Sequence, residues 1–260
     1  MKILVIGDIV GRPGRTIIRE KLLSVKHKYD ADFVIANGEN AAGGNGITEK
    51  NAQELFIGGV DFLTLGNHAW DNKDIYNFID SETKMVRPAN YPQGAPGKGY
   101  QVVQWDRGLT IGILNISGRT FMNPLDCPFR TADMLIHEIR KETDVIIVDF
   151  HAEATSEKVA MGWFLDGRVS AVVGTHTHIQ TADERILPKG TAYITDLGMT
   201  GPYDSILGIE KESVIKKFLT QLPTRFQVAK GSCAINGVFI EIDEKSGKSL
   251  HIERINIKES

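Results

Sequence analysis

Five apolar runs in this chain end on side chains that can bind cations, and that pairing of a buried strand with a polar terminus narrows the folds open to it. Residues 3–6 lead into Gly7-Asp8, residues 32–36 into Asn37-Gly38-Glu39-Asn40, and residues 62–65 into Gly66-Asn67-His68. Later, residues 144–150 run into His151, and residues 169–173 into Gly174-Thr175-His176-Thr177-His178. The runs are short, continuous and rich in β-branched residues, which predicts strands buried on both faces. Helical stretches separate them. One covers about residues 13–29 with Pro13 near its first turn, and another opens at Thr48, a suitable N-cap, with Glu49 behind it. Strands alternating with helices indicate a largely parallel sheet, and the first half reads as βαβαβ.

The remainder turns partly antiparallel. Residues 87–99, with Pro88, Pro92 and Pro96, read as a loop because strand-like runs resume on both sides. Residues 102–105 and 109–114 read as a hairpin joined around Asp106-Arg107-Gly108. From Arg225 onward polar and apolar residues alternate, and residues 237–242 should add antiparallel strands. The expected architecture is α/β: a sandwich of two packed mixed β-sheets flanked by α-helices, formed as a single domain over residues 1–260. A chain of 260 residues with 42% hydrophobic content is long enough to bury such a core.

Charge and cysteine content exclude several classes. The formal net charge is −3, with Lys and Arg scattered and the one clear pair, Lys216-Lys217, in a helical pattern. Polymeric nucleic acid is therefore not an expected partner. Cys127 and Cys233 are too few for a disulfide framework and suit a reducing cytoplasm. Residues 1–8 lack a signal-peptide pattern, and no stretch reaches the roughly 18 apolar residues of a membrane span. A soluble cytoplasmic protein is expected. A homo-oligomer is only the prior for compact enzymes, since no residue pattern encodes one.

In open α/β sheets the carboxyl ends of parallel strands share one edge, so Asp8, Glu39, Asn40, Asn67, His68, His151, His176 and His178 should converge. A lone carboxylate after a strand is usually a turn residue, and a His-Thr-His segment alone is as readily a polar surface loop as a metal site. Convergence weighs against both bland readings, because buried charges need partners or metals. Of the seven histidines, four lie at these strand ends, while His27, His137 and His251 sit in helical or terminal patterns and should be solvated. The two imidazoles of His176 and His178, at i and i+2, can reach one cluster from a single backbone stretch. Many oxygen and nitrogen ligands from separate strands suit a two-metal hydrolase. The glycines around Asp8 invite a nucleotide-cofactor reading, but their spacing does not match the dinucleotide fingerprint. They are better explained as a tight turn, and Arg12 and Arg15 as solvated charges without a role.

Asp8, Gly38-Glu39-Asn40, Gly66-Asn67-His68, His151 and Gly174-Thr175-His176-Thr177-His178 resemble the ordered motifs of the calcineurin-like metallophosphoesterases. The chain is more closely similar to the YmdB family of bacterial metallophosphoesterases. That likeness rests on residues 37–42, Arg87-Pro88-Ala89-Asn90, residues 149–158 and residues 195–202. Three positions depart from the broad superfamily pattern. The first motif is Asp8-Ile9-Val10 without a terminal histidine, Glu39 replaces a bridging aspartate, and Ala69 follows His68 where an acid is usual. The YmdB family carries the same changes. Resemblance to it implies Asp8, Glu39, Asn40 and His178 on one metal, and Glu39, Asn67, His151 and His176 on the other. It associates the site with iron, a pair of divalent or mixed-valence ions, although these ligands also accept manganese or zinc.

Two cations about 3.5–4 Å apart share a hydroxide of depressed pKa and neutralise phosphate oxygens during in-line displacement. His68, beside Asn67 but surplus to the implied ligand sets, is the expected general acid for the leaving oxygen; its alternatives are an extra metal ligand or a structural hydrogen bonder. The expected activity is phosphodiester hydrolysis of small cyclic nucleotides, with 2′,3′-cyclic nucleoside monophosphates implied by the resemblance. The competing class is a regulatory metal- and nucleotide-binding protein with little turnover. Loops at residues 87–90 and 195–203 either approach the site or are rigid turns.

Overall fold

The computed structural model describes residues 1–105 and 108–259. The chain opens with β1 (Lys2–Ile6), the two-residue β2 (Asp8–Ile9), α1 (Gly11–Lys28), β3 (Phe33–Asn37), α2 (Glu49–Ile57), β4 (Phe62–Thr64) and β5 (Met85–Val86). It continues through β6 (Tyr100–Gln104), β7 (Thr110–Ser117), α3 (Pro128–Ile139), β8 (Ile146–His151), α4 (Thr155–Leu165) and β9 (Ala171–Thr175). The last part holds β10 (Arg185–Ile186), β11 (Ala192–Ile194), β12 (Met199–Pro202), α5 (Lys211–Thr220), β13 (Cys233–Ile242) and β14 (Ser249–Lys258). These form the expected pair of mixed sheets. One runs β2-β12-β13-β1-β3-β4-β5 with β14 also on β13, and the other runs β10-β11-β9-β8-β7-β6. Within them β1, β3, β4 and β5 are parallel, as are β7, β8, β9 and β11.

Strand periodicity divides the core into layers. Ile3 and Val5 of β1 pack between the sheets with Ile35, Ile113 and Ile147, whereas Leu4 and Ile6 face Ile17, Ile18 and Leu22 of α1. On the far side, Ile146 and Val148 of β8 meet Ile136 of α3 and Met161 of α4. Each central strand is thus apolar on both faces, which is why its sequence reads as an unbroken run rather than an alternation. Because β13 pairs antiparallel with β1, a late strand closes over the first one.

Several boundaries move for physical reasons. The first helix starts at Gly11 rather than near Pro13, because Gly11 takes a left-handed φ of +57° and donates its N–H to the carbonyl of Asn40 at 2.8 Å. Asp8 does not simply follow a strand, since β2 pairs in parallel with β12, setting Asp8 opposite Met199. The hairpin of β6 and β7 is present, while the Asp106 and Arg107 of its expected turn lie outside the described residues. Thr48 caps α2 as expected, accepting from Asn51 N at 3.2 Å. His27, His137 and His251 are exposed. Among the described residues no helix is long and apolar enough to cross a membrane.

Phe62 of β4 is fully buried between the sheets. Phe62→Ala should cost about 3–5 kcal/mol of stability, seen in chemical denaturation as a lower midpoint at unchanged slope. A loss under about 1 kcal/mol would contradict this layer assignment.

Candidate metal centre

The parallel strands of both sheets deliver their carboxyl ends to one edge, and all eight residues expected there are found in it. His151, the last residue of β8, is at the centre. Its Nε2 lies 2.8 Å from Asn67 Oδ1, 3.1 Å from Glu39 Oε1 and 3.1 Å from His176 Nδ1. A second group adjoins it through Glu39: Asn40 Nδ2 is 3.2 Å from Glu39 Oε1 and 3.2 Å from His178 Nε2, which is 3.8 Å from Asp8 Oδ1. Glu39 Oε2 accepts from the backbone N–H of His68 at 3.1 Å. Gly66 permits this convergence, since a Cβ there would collide with the Glu39 carboxylate and the His151 ring.

The two terminal histidines arrive by a route that simple i, i+2 periodicity does not describe. The β9 ladder stops at Thr175, and His176 and His178 adopt left-handed φ values of +96° and +66°. For a side chain with a Cβ such backbone is strained and persists only where its surroundings over-determine it. Here the His176 N–H donates to Asp8 Oδ2 at 3.3 Å, and Thr177 donates its N–H and Oγ1 to Asp196 Oδ2 at 3.1 and 2.7 Å. Asp196 in turn holds Lys158, whose Nζ is 2.5 Å from Oδ2 and 2.7 Å from the Thr175 carbonyl, and both side chains are buried. The ligand-bearing turn is therefore clamped from behind by an ion pair reaching it from α4.

Charge burial shapes the electrostatics. Burial pushes the Asp8 carboxyl up to about 6 against the pull of His178 and His151. Burial would also raise Glu39, but the charge and hydrogen bond of His151 more than reverse it, down to about 2. For His151 burial works against the charged ring, and the Glu39 carboxylate outweighs it, lifting the group to about 9. Burial, then repulsion from His151, drives His176 down to about 3. Asp8 Oδ1 is buried without a hydrogen-bond partner. A buried carboxylate oxygen left bare beside an imidazole is costly unless a cation meets it. Glu39, His151 and His176 also bring ligand atoms within 4.8 Å of one another. This mixture of carboxylate, imidazole and amide donors fits a transition-metal ion.

Several supporting residues escaped the sequence reading. Asp149 is buried and accepts from Thr175 Oγ1 at 2.6 Å, Thr64 Oγ1 at 2.5 Å and Asn37 Nδ2 at 3.3 Å. Burial raises its pKa while these donors and His151 oppose the rise. Thr175 Oγ1 also sits 2.9 Å from His151 Nδ1. A hydroxyl has one proton, so giving it to Asp149 leaves the oxygen to accept from His151 Nδ1–H, and Nε2 is directed at the cluster. The signal was available: Asp149 stands two residues before His151 on the same strand face, in an otherwise apolar run. Glu153 holds His176 Nε2 at 3.0 Å, and Asp71 holds His68 Nδ1 at 2.8 Å. Arg15 is no solvated charge: it pairs with Glu54 at 2.7 Å and donates to the carbonyl of Ala41, bracing the loop after Glu39-Asn40. Arg12, by contrast, is exposed.

Both uncertain loops prove to be scaffolding. Arg87 donates to the carbonyls of Pro88, Ala95, Pro96 and Gly97, and Asn90 bonds Ser117 and Asp126. Met199 N donates to the carbonyl of His178 at 3.1 Å, so residues 195–203 back the site from behind.

A cavity of about 570 Å³ opens over the cluster, with Glu39, Asn40, His68, His176 and His178 on its polar side. Two stacked mixed sheets with carboxylates and imidazoles gathered at their strand ends define an α/β protein with a candidate metal centre. Residues 4–255 match the model of the YmdB-like protein family, and the chain belongs to that family. It is 57% identical over its full length to the 2′,3′-cyclic-nucleotide 2′-phosphodiesterase of Bacillus subtilis, covering 98% of that protein. It is 39% identical to a putative phosphatase/phosphodiesterase of Mycoplasma pneumoniae over all of this chain and 94% of that one. Among solved structures, a hypothetical protein of Thermus thermophilus matches over the whole of both chains at TM-score 0.94 and 44% identity. A phosphatase from Mycoplasma pneumoniae matches at TM-score 0.94 and 38% identity, over all of this chain and 94% of that one.

Lys158→Met should destabilise the protein by about 3–5 kcal/mol, because Asp196 is left charged and unpaired in the interior. Pairing it with Asp196→Asn should recover part of that loss in denaturant titrations. Equal stability of the single variant and the parent would rule out the clamp.

Proposed function

We propose that this protein is a metal-dependent phosphodiesterase that opens 2′,3′-cyclic nucleoside monophosphates at the 2′ ester. The observation that carries the reading is the bare, buried Asp8 Oδ1 facing His178 across a cluster of carboxylate, amide and imidazole ligands under an open cavity. Substrate identity is taken from the 57% identical relative, whose name specifies that substrate and that ester. The distances support two nested ligand sets sharing Glu39. Asp8, Glu39, Asn40 and His178 would hold one ion, with the Asn40 amide turned by 180° to present Oδ1. Glu39, Asn67, His151 and His176 would hold the other. Iron is the assignment favoured by family, and the same donors accept manganese or zinc.

When bound, a close pair of such cations acidifies water and neutralises the phosphate oxygens. The chain's own part is to orient and to move a proton. Asp149 and Thr175 keep His151 Nε2 aimed inward, while Glu153 keeps His176 Nδ1 so. His68 lines the cavity with Nδ1 held by Asp71, which leaves Nε2 to give a proton to the departing oxygen. A water oxygen gives a proton to solvent and bonds to phosphorus, the bond from phosphorus to O2′ breaks, and O2′ takes the proton of His68, which solvent restores, giving a nucleoside 3′-monophosphate. The core shared by the two sheets supports one domain for this activity, and the free thiols of Cys127 and Cys233 fit a reducing cytoplasm.

Turnover of 2′,3′-cyclic AMP, assayed beside 3′,5′-cyclic AMP and a phosphomonoester, should be the fastest of the three and should vanish with chelator. Tight nucleotide binding without turnover after metal reloading would favour a regulatory role instead. His68→Ala should keep its metal content but lose about 10²–10⁴-fold in kcat. Loss of metal in that variant, or an undiminished rate, would reject His68 as the acid. Asp149→Ala should weaken metal affinity by about 10–100-fold in equilibrium dialysis.

A further inference from the structure

The cavity over the cluster has a second wall that the proposed chemistry does not use. It is apolar, built from Leu207, Ile209, Phe226, Val228 and Val10. Phe226 is 48% exposed and Leu207 43% exposed, so both offer apolar surface to the cavity rather than to the core. The wall is also rigid. Ile206 and Ile209 exchange backbone hydrogen bonds at 2.9 and 3.0 Å across a two-residue turn, and Ile209 bridges in turn to Val228. Ala229 N donates to the Gly208 carbonyl at 2.8 Å, and Glu210 N to the Gln227 carbonyl at 3.0 Å.

The turn itself is unusual in its sequence. Both central residues have positive φ, +53° at Leu207 and +90° at Gly208, the pattern of a type I′ turn. Asn, Asp or Gly normally fills the first of these positions, and a leucine there is strained. The strain gains no core packing, because Leu207 is largely outside the core. Its carbonyl, however, accepts from His178 Nδ1 at 3.1 Å, which ties the apolar wall directly to the cluster. Strained residues that persist without a packing return are characteristic of ligand contacts.

We infer that the wall formed by Leu207 and Phe226 is the nucleobase platform of the site, with the base stacked on the Phe226 ring and Leu207 against its edge. The inference rests on the phosphodiesterase reading above. His68 lines the same cavity, so a proton given to O2′ sets the ribose within that cavity, and the apolar lining is the hydrocarbon surface available there to the attached base. The wall formed by Val10, Leu207, Ile209, Phe226 and Val228 presents hydrocarbon side chains, and stacking alone is tolerant of base identity. Purine and pyrimidine substrates should therefore differ little.

The test compares adenosine 2′,3′-cyclic phosphate with the base-free methyl riboside 2,3-cyclic phosphate. In Phe226→Ala the ratio of their kcat/KM values should shift against the nucleotide by about ten- to hundred-fold, mainly through KM, and Phe226→Trp should restore it. Leu207→Gly, which relieves the backbone, should shift the ratio the same way without lowering the melting temperature. An unchanged ratio in both variants overturns the platform, as does a loss of thermal stability in Leu207→Gly with no shift. Should the metal-loaded parent turn over neither compound, the phosphodiesterase reading fails on its own. The platform is then judged by whether Phe226→Ala weakens adenosine 3′-monophosphate relative to methyl riboside 3-phosphate in calorimetry, with equal effects on both rejecting it.

Discussion

Four carboxylates, those of Asp8, Glu39, Asp149 and Asp196, are buried at the edge where the strands of the two sheets end. Each would be costly alone, and the architecture of that edge is largely the means of matching them. Asp196 is answered by Lys158, Glu39 by His151, and Asp149 by hydroxyl and amide donors. Asp8 receives only the His176 N–H and distant imidazole, and its second oxygen is bare. The deficit is local. The unpaired oxygen faces the group of side chains able to ligate a cation, so the electrostatic shortfall and the candidate chemistry coincide.

The same compensation accounts for the backbone strain around the site. His176 and His178 leave the β9 ladder in left-handed conformations that an isolated turn would not keep. They are kept by hydrogen bonds to Asp8, to Asp196 through Thr177, and to the Met199 N–H behind the turn. Removing any one buried partner should therefore loosen the turn that carries these histidines, beside whatever it costs in overall stability. Supports of this kind make a site precise because each ring nitrogen has a single available direction.

Much of the fold could be read from strand and helix periodicity, because β1, β3, β4, β8 and β9 are apolar on both faces and end on polar residues at one edge. The convergence of the eight candidate residues was legible for the same reason: their types and their positions at strand ends agree. What periodicity does not encode is tertiary compensation. A lysine at position 158 reads locally as a solvated charge, and only the buried Asp196 opposite, 38 positions away, draws it inward. Arg15 likewise reads as solvated until the Ala41 carbonyl and Glu54 arrive from other elements. The short β2 and β12 pairing is invisible locally, since the two-residue β2 has no period. Asp149 was the exception, a buried acid in an apolar strand that charge burial alone should have marked.

The cavity divides its labour between the two kinds of wall. The polar side is over-determined: nearly every ring nitrogen and carboxylate oxygen has a partner, which favours fixed positions and disfavours adaptation to different ligands. The opposite side is a rigid turn presenting hydrocarbon, which attracts by area and shape and imposes no hydrogen-bond pattern. Under the proposed function, a site so arranged would be strict about what happens at phosphorus and lenient about what hangs from the sugar. On that reading, discrimination between phosphate esters would come from how the ring of the ester sits between the ligand cluster and His68, since the lining formed by Val10, Leu207, Ile209, Phe226 and Val228 presents hydrocarbon side chains.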